Sequence, residues 1–501
     1  MRIRPLVLAL VAPLTLILTG CGASGGDDIV DVVFIGTPED LTETGLRLAP
    51  AAQHLRAATA EGLVALDAGG NVVPAVAERW IVTDDGLSYI FRLRNSDWPD
   101  GTAIEGEAVR AELERTIARL RGTSLGLDLA KIGEVRAMTG RVIEIRLASP
   151  MPDLLQILAQ PELGLRRGGA GMGPMRAAES DNGWLLTPMA PRTRGLPEDP
   201  RWEDRARQVR LRALPASEAI AAFDSGAADL VLGGSLVNLP LADVGALSRG
   251  TVRLDAALGL FGLQVHAGRD GENGLLADAA RREALALAID REALLQPFSI
   301  GGWIPTTRLV PPGLPDDIGT IAERWTDLSI EERRALAARR IAAWDGGEGG
   351  EEGGSAAPRA TIFLPPGPGS DTLFTQLAQD LAAIGVTLAR VDSADEADLT
   401  LVDRVARYGG ARWFLNQFSC SLDRGLCVPE ADLRVAEAIS APDPITRGAL
   451  FAEAEADLLS ANVYIPLGAP IRWSLLRGGV QGFEENRWSI HPLFPLALRP
   501  I

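Results

Sequence analysis

The sequence has few of the side chains that usually build metal or catalytic sites. Its 501 residues include three cysteines and only three histidines, His54, His266 and His491, which lie far apart along the chain. No G-x-S-x-G elbow, H-E-x-x-H pair or Walker A loop occurs, so the usual motifs of hydrolases, zinc peptidases and ATP-driven enzymes are absent. We therefore expect no catalytic residues, no metal site and no cofactor.

Positive charge and long apolar runs are also scarce. The chain has 49 Lys and Arg against 66 Asp and Glu, a formal net charge of -17, and so acidic a protein is poorly suited to binding nucleic acid. After the first twenty residues, no apolar run is long enough to span a membrane. The length predicts two or three domains, and we expect a soluble, monomeric body.

The N-terminus is the apolar exception. Two early arginines precede an apolar run from Leu6 to Ile17, which is long enough for a signal-peptide core but short for a membrane span. The run leads to LTGC at residues 18–21, and small residues directly before a cysteine resemble the bacterial lipobox. We expect residues 1–20 to be a signal peptide and Cys21 to be lipidated, which would anchor the protein in the bacterial cell envelope, in the periplasm. The alternative is an uncleaved anchor helix with an incidental thiol.

The other two cysteines, Cys420 and Cys427, have six residues between them. In an oxidising compartment such a pair tends to form a disulfide, and this spacing would close a small loop. Two free thiols are the alternative. A zinc site is disfavoured because neither a C-x-x-C motif nor a histidine cluster accompanies them.

Short β-branched or aromatic runs alternate with helical patterns, which is typical of an α/β protein. Residues 87–93 read as a half-buried strand, and residues 103–120 and 278–295 read as helices. Residues 345–358 are rich in glycine and glutamate and are expected to form a flexible loop. Residues 169–174, GAGMGP, are read as a chain reversal because a proline stands where a dinucleotide-binding helix would begin.

Five segments carry a resemblance to a known family. Residues 61–109 contain Asp-Gly turns on either side of a strand, and GMGP follows at 171–174. The letters ADAARREALALAIDREALL occupy residues 277–295, LVPPG occupies 309–313, and YIPL occupies 464–467. In this order they resemble the extracellular solute-binding proteins of peptide and nickel ABC transporters, family 5. The resemblance extends over nearly the whole mature chain.

The resemblance implies an α/β fold of the periplasmic binding protein type II kind, with two hinged lobes, an extra third lobe, and mixed sheets flanked by helices. Lobe I and lobe III would close on a ligand by hinge motion, and lobe II would be the extra, inserted lobe. The implied boundaries are 21–50, 175–270 and 466–501 for lobe I, 51–174 for lobe II, and 271–465 for lobe III.

The function implied is that of a lipid-anchored substrate-binding component of an ABC importer. Such a protein would capture a small solute, a peptide or a peptide-like molecule that could be anionic, and deliver it to a membrane permease driven by an ATPase. The alternative is a cell-envelope receptor or scaffold that kept the fold and lost transport, and an exported hydrolase is a third reading. Direct nickel ligation is disfavoured because three separated histidines do not supply a ligand set.

The stretch ARYGGARWFL, residues 406–415, suggests what kind of ligand. In peptide-binding members of the family, an aspartate in this segment pairs with the peptide's amine, but here Arg407 stands in its place and Arg404 replaces a tryptophan. An arginine offers a donor fork to a carboxylate or phosphate and repels an ammonium. We expect an anionic ligand paired with Arg407 and near Arg404, with Tyr408 and Trp413 as packing walls. The alternative is that these arginines face solvent or pair with the abundant carboxylates.

His266 is a further candidate. It ends the stretch FGLQVH, where the family often has an asparagine at the end of a hinge strand. It could hydrogen-bond a ligand, and the alternative is a structural histidine in a strand.

Overall fold

The computed structural model describes residues 28–42, 45–180, 183–242, 250–266, 274–344, 357–441 and 443–499. The predicted signal peptide, the lipidation site Cys21 and all but two residues of the predicted loop at 345–358 lie outside the described residues. Within those ranges, no helix combines the length and the apolar character needed to cross a membrane.

Most strands are short, between two and seven residues. In chain order they are β1 Ile29–Ile35, β2 Val64–Leu66, β3 Val72–Pro74, β4 Ala77–Val82, β5 Ser88–Leu93, β6 Ile132–Ala137, β7 Val142–Leu147, β8 Arg166–Arg167, β9 Ala170–Gly171, β10 Met175–Ser180, β11 Gly183–Pro188, β12 Gln208–Leu214, β13 Leu230–Ser235, β14 Val252–Asp255, β15 Gly259–Val265, β16 Arg359–Phe363, β17 Thr387–Arg390, β18 Leu399–Val405, β19 Tyr464–Gly468 and β20 Arg472–Leu476.

Helices separate and cover these strands. They are α1 Glu39–Thr42, α2 Pro50–Thr59, α3 Gly106–Arg119, α4 Ser124–Asp128, α5 Leu154–Leu158, α6 Trp202–Arg205, α7 Ala216–Ser225, α8 Ala279–Ala288, α9 Arg291–Leu294, α10 Ile330–Ala342, α11 Pro368–Ala382, α12 Ala411–Asn416, α13 Pro429–Ile439, α14 Pro444–Ala461 and α15 Leu493–Leu496.

Two mixed sheets form the hinged body. The first has the order β10-β11-β12-β1-β13-β20-β14, with β1 running parallel to both of its neighbours. Val32 and Val33 of β1 point to opposite faces and are both fully buried, so both faces of this sheet are covered. The second sheet has the order β17-β16-β18-β15-β19, and every residue of its strand β15 is buried.

The chain passes between these sheets twice. The first crossing, residues 256–258, joins β14 to β15, and the return, residues 469–471, joins β19 to β20. This corrects the expected lobe boundaries at 270 and 465, because β15 forms its hydrogen bonds with β18 and β19 and therefore belongs to lobe III. Each crossing has three residues, and the strands that they join are paired in both sheets, β14 with β20 and β15 with β19. The two connections therefore lie close together and can act as a hinge.

Lobe II is built on the antiparallel sheet β4-β5-β7-β6, with α3 beside β6 and β7. Its core is continuous with part of lobe III, because Phe91 and Ile145 of lobe II belong to the same buried cluster as Phe414 and Leu458. The helix α2 was expected to open lobe II at residue 51. It instead packs with the core of the first sheet, so lobe II begins after this helix.

Local predictions hold with one change. The expected strand is β5, and the expected helix at 103–120 is α3. The expected helix at 278–295 is two helices, α8 and α9, because the chain leaves helical geometry at Ile289. The Asp290 side chain then accepts a hydrogen bond from the Ala293 backbone N–H at 3.1 Å and caps the second helix.

Candidate functional site

A cavity of about 1200 Å³ lies where the three lobes meet. Lobe I contributes the segment before and within α2 and residues near β13 and β20. Lobe III contributes the end of β18, part of α12 and the loop after it, and lobe II contributes α4 and Glu162. The charged residues and histidines of its lining are Asp40, Arg47, His54, Asp128, Glu162, Asp403, Arg404, Arg407, Arg424, Arg472 and His491.

Two arginines from lobe III share one neutral partner in this cavity. The guanidinium groups of Arg404 and Arg424 donate to the same Gln417 side-chain oxygen, at 3.3 and 3.0 Å. The amide of Gln417 donates in turn to the Trp413 carbonyl at 3.0 Å, which orients its oxygen toward the arginines. Burial, with Arg404 and Arg47 nearby, lowers the pKa of Arg424 to about 10, and burial also lowers the pKa of Arg404.

A third arginine faces this pair from lobe I. Arg47 lies between α1 and α2, whose residues Leu41, Ala51 and Ala58 pack into the core of the first sheet. Arg47 is exposed and lines the cavity. Within the described part of the chain, neither Arg47 nor the Arg404 and Arg424 pair forms a salt bridge with a carboxylate.

The predicted charge partner, Arg407, also lines the cavity, but its own charge is matched. Its guanidinium forms a two-point ion pair with Glu162 at 2.9 and 3.1 Å and donates to the Gln160 oxygen at 2.8 Å. Gln160 returns a hydrogen bond to the Arg407 carbonyl at 3.1 Å. The pairing with abundant carboxylates, which was the alternative interpretation, is therefore the arrangement of Arg407 in the structure.

The acidic groups of the cavity are engaged as well. Asp403 on β18 accepts from Arg472 on β20 at 2.7 Å, an ion pair that bridges the two sheets. Asp40 accepts the Thr37 backbone N–H at 2.7 Å. The lining thus contains five arginines and four carboxylates. Glu162 and Asp403 are each paired to an arginine. Arginine charge therefore exceeds carboxylate charge by one, and Arg47, Arg404 and Arg424 are the arginines without a salt bridge among the described residues.

Of the two predicted aromatic walls, one lines the cavity. Trp413 on α12 lines it and packs edge-to-face on Phe414, with ring centroids 4.9 Å apart. Tyr408 does not line it, which corrects that expectation. Its ring is buried, and its hydroxyl donates to the buried carboxylate of Asp128 at 2.9 Å. Burial and that carboxylate raise the pKa of Tyr408 well above its usual value.

His266 is also outside the cavity lining. It follows β15, and its Nε2 lies 2.8 Å from the Thr400 hydroxyl of the neighbouring strand β18. Its backbone N–H donates to the Asp398 carbonyl at 2.9 Å. The structure thus gives it the structural role of a strand-end histidine, because a partner in the adjacent strand holds its ring.

The other two histidines do reach the cavity wall. The backbone N–H of His491 donates to His54 Nε2 at 3.2 Å, and the His491 ring contacts Asp255 at 3.1 Å. Burial lowers the pKa of His54 to about 4, so that ring is neutral near pH 7. Among the described residues, no three His, Cys, Asp or Glu side chains are grouped as a metal site.

Cys420 and Cys427 form a disulfide with Cα atoms 5.2 Å apart. The loop that it closes carries Arg424. Two residues after Arg424, the Leu426 backbone N–H donates to the Val265 carbonyl at 2.8 Å and holds the loop against the end of β15. The disulfide therefore helps to hold one of the unpaired arginines in the cavity.

Five residues that line the cavity were not predicted from the sequence: Arg47, Arg424, Gln417, His54 and His491. Arg424 had a usable signal, since it is a basic residue inside a cysteine-closed loop of an acidic chain. Arg47, His54 and His491 had none, because they are distant in sequence from residues 406–415. Gln417 lies two residues beyond that segment, but its neutral amide carries no charge that would indicate a binding role.

The structure has two sheets joined by two chain connections, an extra lobe, and a cavity shared by the lobes. These features define a hinged solute-binding protein. The chain belongs to the bacterial extracellular solute-binding proteins, family 5. The sequence model of this family, which describes the middle region of its members, matches residues 71–195 and 197–423. Members of this family are binding proteins of transporters and not enzymes. The resemblance drawn from the sequence and the fold class that it implied are confirmed.

Individual relatives are distant. The nickel-binding periplasmic protein of Escherichia coli (strain K12) is 23% identical over 487 residues, 87% of this chain and 90% of that protein. The oligopeptide-binding protein OppA of Salmonella typhimurium is 23% identical over 481 residues, 84% of each chain. The solved structure of Burkholderia pseudomallei OppA has a TM-score of 0.77 at 17% identity and covers 95% of this chain and 99% of that one. These similarities establish the fold.

Proposed function

We propose that this protein is the lipid-anchored solute-binding component of an ABC importer. It captures a small anionic solute, peptide-like or simpler, between lobes I and III and delivers it to a membrane permease. The observation that carries the proposal is the cavity of about 1200 Å³ at the hinge, which holds more arginine charge than carboxylate charge. That volume suits a small solute or a short peptide.

Relatives support transport as the wider activity. Proteins that match most of the chain are named for binding nickel and oligopeptides in the periplasm. Recognition of an ordinary peptide amine is disfavoured here, because Arg407 stands at the expected aspartate and Glu162 is already paired with it. An anion is favoured because a guanidinium donates to carboxylate and phosphate oxygens.

Mass spectrometry of solutes that co-purify with the protein tests this function. We expect a discrete anionic compound from the wild-type protein, a much smaller amount from Arg404→Gln, and the wild-type amount from Arg339→Gln on the exposed face of α10. A wild-type preparation without solute, and without a thermal shift across peptide, sugar and organic-acid libraries, would instead favour a scaffold.

The lipid anchor is a separate part of the proposal. It rests on the lipobox-like sequence LTGC at residues 18–21. Metabolic labelling with a palmitate analogue should mark the wild-type protein and leave Cys21→Ser unlabelled. Equal labelling of both proteins would contradict lipidation at this cysteine.

A further inference from the structure

Arg47, Arg404 and Arg424 differ from the other arginines of the cavity. Arg407 is neutralised by Glu162 and Arg472 by Asp403, whereas the three have no carboxylate partner among the described residues. Arg404 and Arg424 both donate to the single side-chain oxygen of Gln417. That oxygen carries only a partial charge and cannot neutralise two guanidinium groups.

The three arginines also divide between the two hinged lobes. Arg404 is on β18 and Arg424 is in the disulfide-closed loop, so both belong to lobe III. Arg47 belongs to lobe I, because the helices on either side of it pack on the first sheet. Closure of the hinge brings like charges of the two lobes together. Their repulsion opposes closure until an anion lies between them.

We propose that this cross-lobe arginine triad is a ligand-dependent latch, in which the carboxylate or phosphate group of the solute is the counter-ion that allows lobes I and III to close. The inference rests on the proposed function and deepens it. The anion binds first on lobe III, where two guanidinium groups already point at one acceptor. Arg47 then contacts the same group from lobe I, so the closed state gains affinity that the open state lacks.

Charge reversal at Arg47 tests the latch without knowledge of the natural solute. In Arg47→Glu, the new carboxylate can pair across the hinge with the two lobe III arginines. We expect the solute-free variant to be more closed than the wild type, with roughly a fivefold or greater rise in the ratio of closed to open molecules. Small-angle X-ray scattering of the full-length protein in detergent reports this as a smaller radius of gyration. Arg339→Glu on α10 is the matched charge reversal outside the cavity and should scatter like the wild type.

A second variant tests the anion site directly. Arg424→Gln should bind inorganic phosphate and succinate, titrated at constant ionic strength, roughly tenfold or more weakly than the wild type. A preference for one probe identifies whether phosphate or carboxylate is the better counter-ion. Unchanged affinity of Arg424→Gln for the probe that the wild type binds would overturn the anion site.

The outcomes separate the latch from the function. If the wild-type protein yields a solute but solute-free Arg47→Glu scatters like the wild type and like Arg339→Glu, the latch is wrong and the proposed function stands. If Arg47→Glu closes but the wild type binds no solute, the arginines do oppose closure and the transport function falls. Circular dichroism confirms that each variant is folded before either result is read.

Discussion

Among single residues, Asp128 gives the protein a defined pH dependence. Its carboxylate accepts from the Tyr408 hydroxyl at 2.9 Å and from the Asn416 amide at 2.7 Å, and burial raises its pKa to about 6 despite the nearby Arg412. The folded protein therefore holds this proton more tightly than the unfolded chain does. Stability from this group is fully present below the ordinary pKa of 3.8 and is lost as pH rises through about 6. The shift corresponds to roughly 3 kcal/mol.

We expect Asp128→Asn to flatten that dependence. The amide oxygen can still accept a hydrogen bond and does not ionise, so the fall in Tm between pH 4 and pH 6.5 should be smaller than in the wild-type protein. Asp128→Ala removes the acceptor of two buried donors and should lower the free energy of unfolding by about 1–3 kcal/mol for each donor left unpaired. Thermal unfolding followed by circular dichroism measures both, and parallel pH profiles for Asp128→Asn and the wild type would contradict the prediction.

The segment at residues 406–415 also marks how far single residues could be predicted. The sequence directed attention to Arg404, Arg407 and Trp413, and all three line the cavity. It could not reveal that Arg407 is paired with Glu162 or Tyr408 with Asp128, because these partners are 245 and 280 residues away in the chain. A residue's type indicates what it can bind. Only the fold decides which partner reaches it.

At the level of elements, the loop closed by Cys420 and Cys427 is expected to serve both binding and stability. Replacing both cysteines by serine removes the constraint of a short loop, which is worth about 2.5 kcal/mol in the chain-entropy model. Because Arg424 lies in that loop, its guanidinium should lose its fixed position. Affinity for an anionic probe, measured by isothermal titration calorimetry, should fall together with Tm.

The matched control is Arg424→Gln with both cysteines kept. If the double serine variant binds as weakly as Arg424→Gln, the disulfide acts by holding the arginine. If it loses stability but keeps wild-type affinity, the hydrogen bond from Leu426 to Val265 is sufficient to position the loop.

Individual helices and strands could be predicted from the sequence more reliably than the way in which they assemble into lobes. The strand β5 and the helix α3 can be predicted from the periodicity of apolar residues alone. The break between α8 and α9 cannot, because it depends on Asp290, whose backbone N–H donates to the Asp380 carboxylate of α11 at 3.1 Å. The lobe boundary near 270 was wrong for a similar reason. Every residue of β15 is buried and all but Gln264 are apolar, and such a run fits the centre of either sheet until its hydrogen-bond partners are known.

At the scale of the whole molecule, the described residues form three hydrophobic clusters, two of which connect neighbouring lobes. One belongs to lobe I alone, one joins lobes I and III beside the hinge, and one joins lobe III to lobe II. The overall three-lobe plan could be predicted from the family resemblance. The continuity of these cores could not, because it depends on contacts between segments far apart in the chain. It means that lobe II gains part of its stability from lobe III.

Removing one buried ring should reveal that dependence. Phe414 of α12 is fully buried in the cluster shared by lobes II and III, and Phe414→Ala should cost about 3–5 kcal/mol. Because the cluster is continuous, we expect faster amide hydrogen exchange in β5 and β7 of lobe II, although the substitution lies in lobe III. Leu186→Ala, in the cluster that belongs to lobe I alone, should leave exchange in those strands unchanged. Equal exchange in lobe II for both variants would mean that lobe II folds independently and that its contact with lobe III is only an interface.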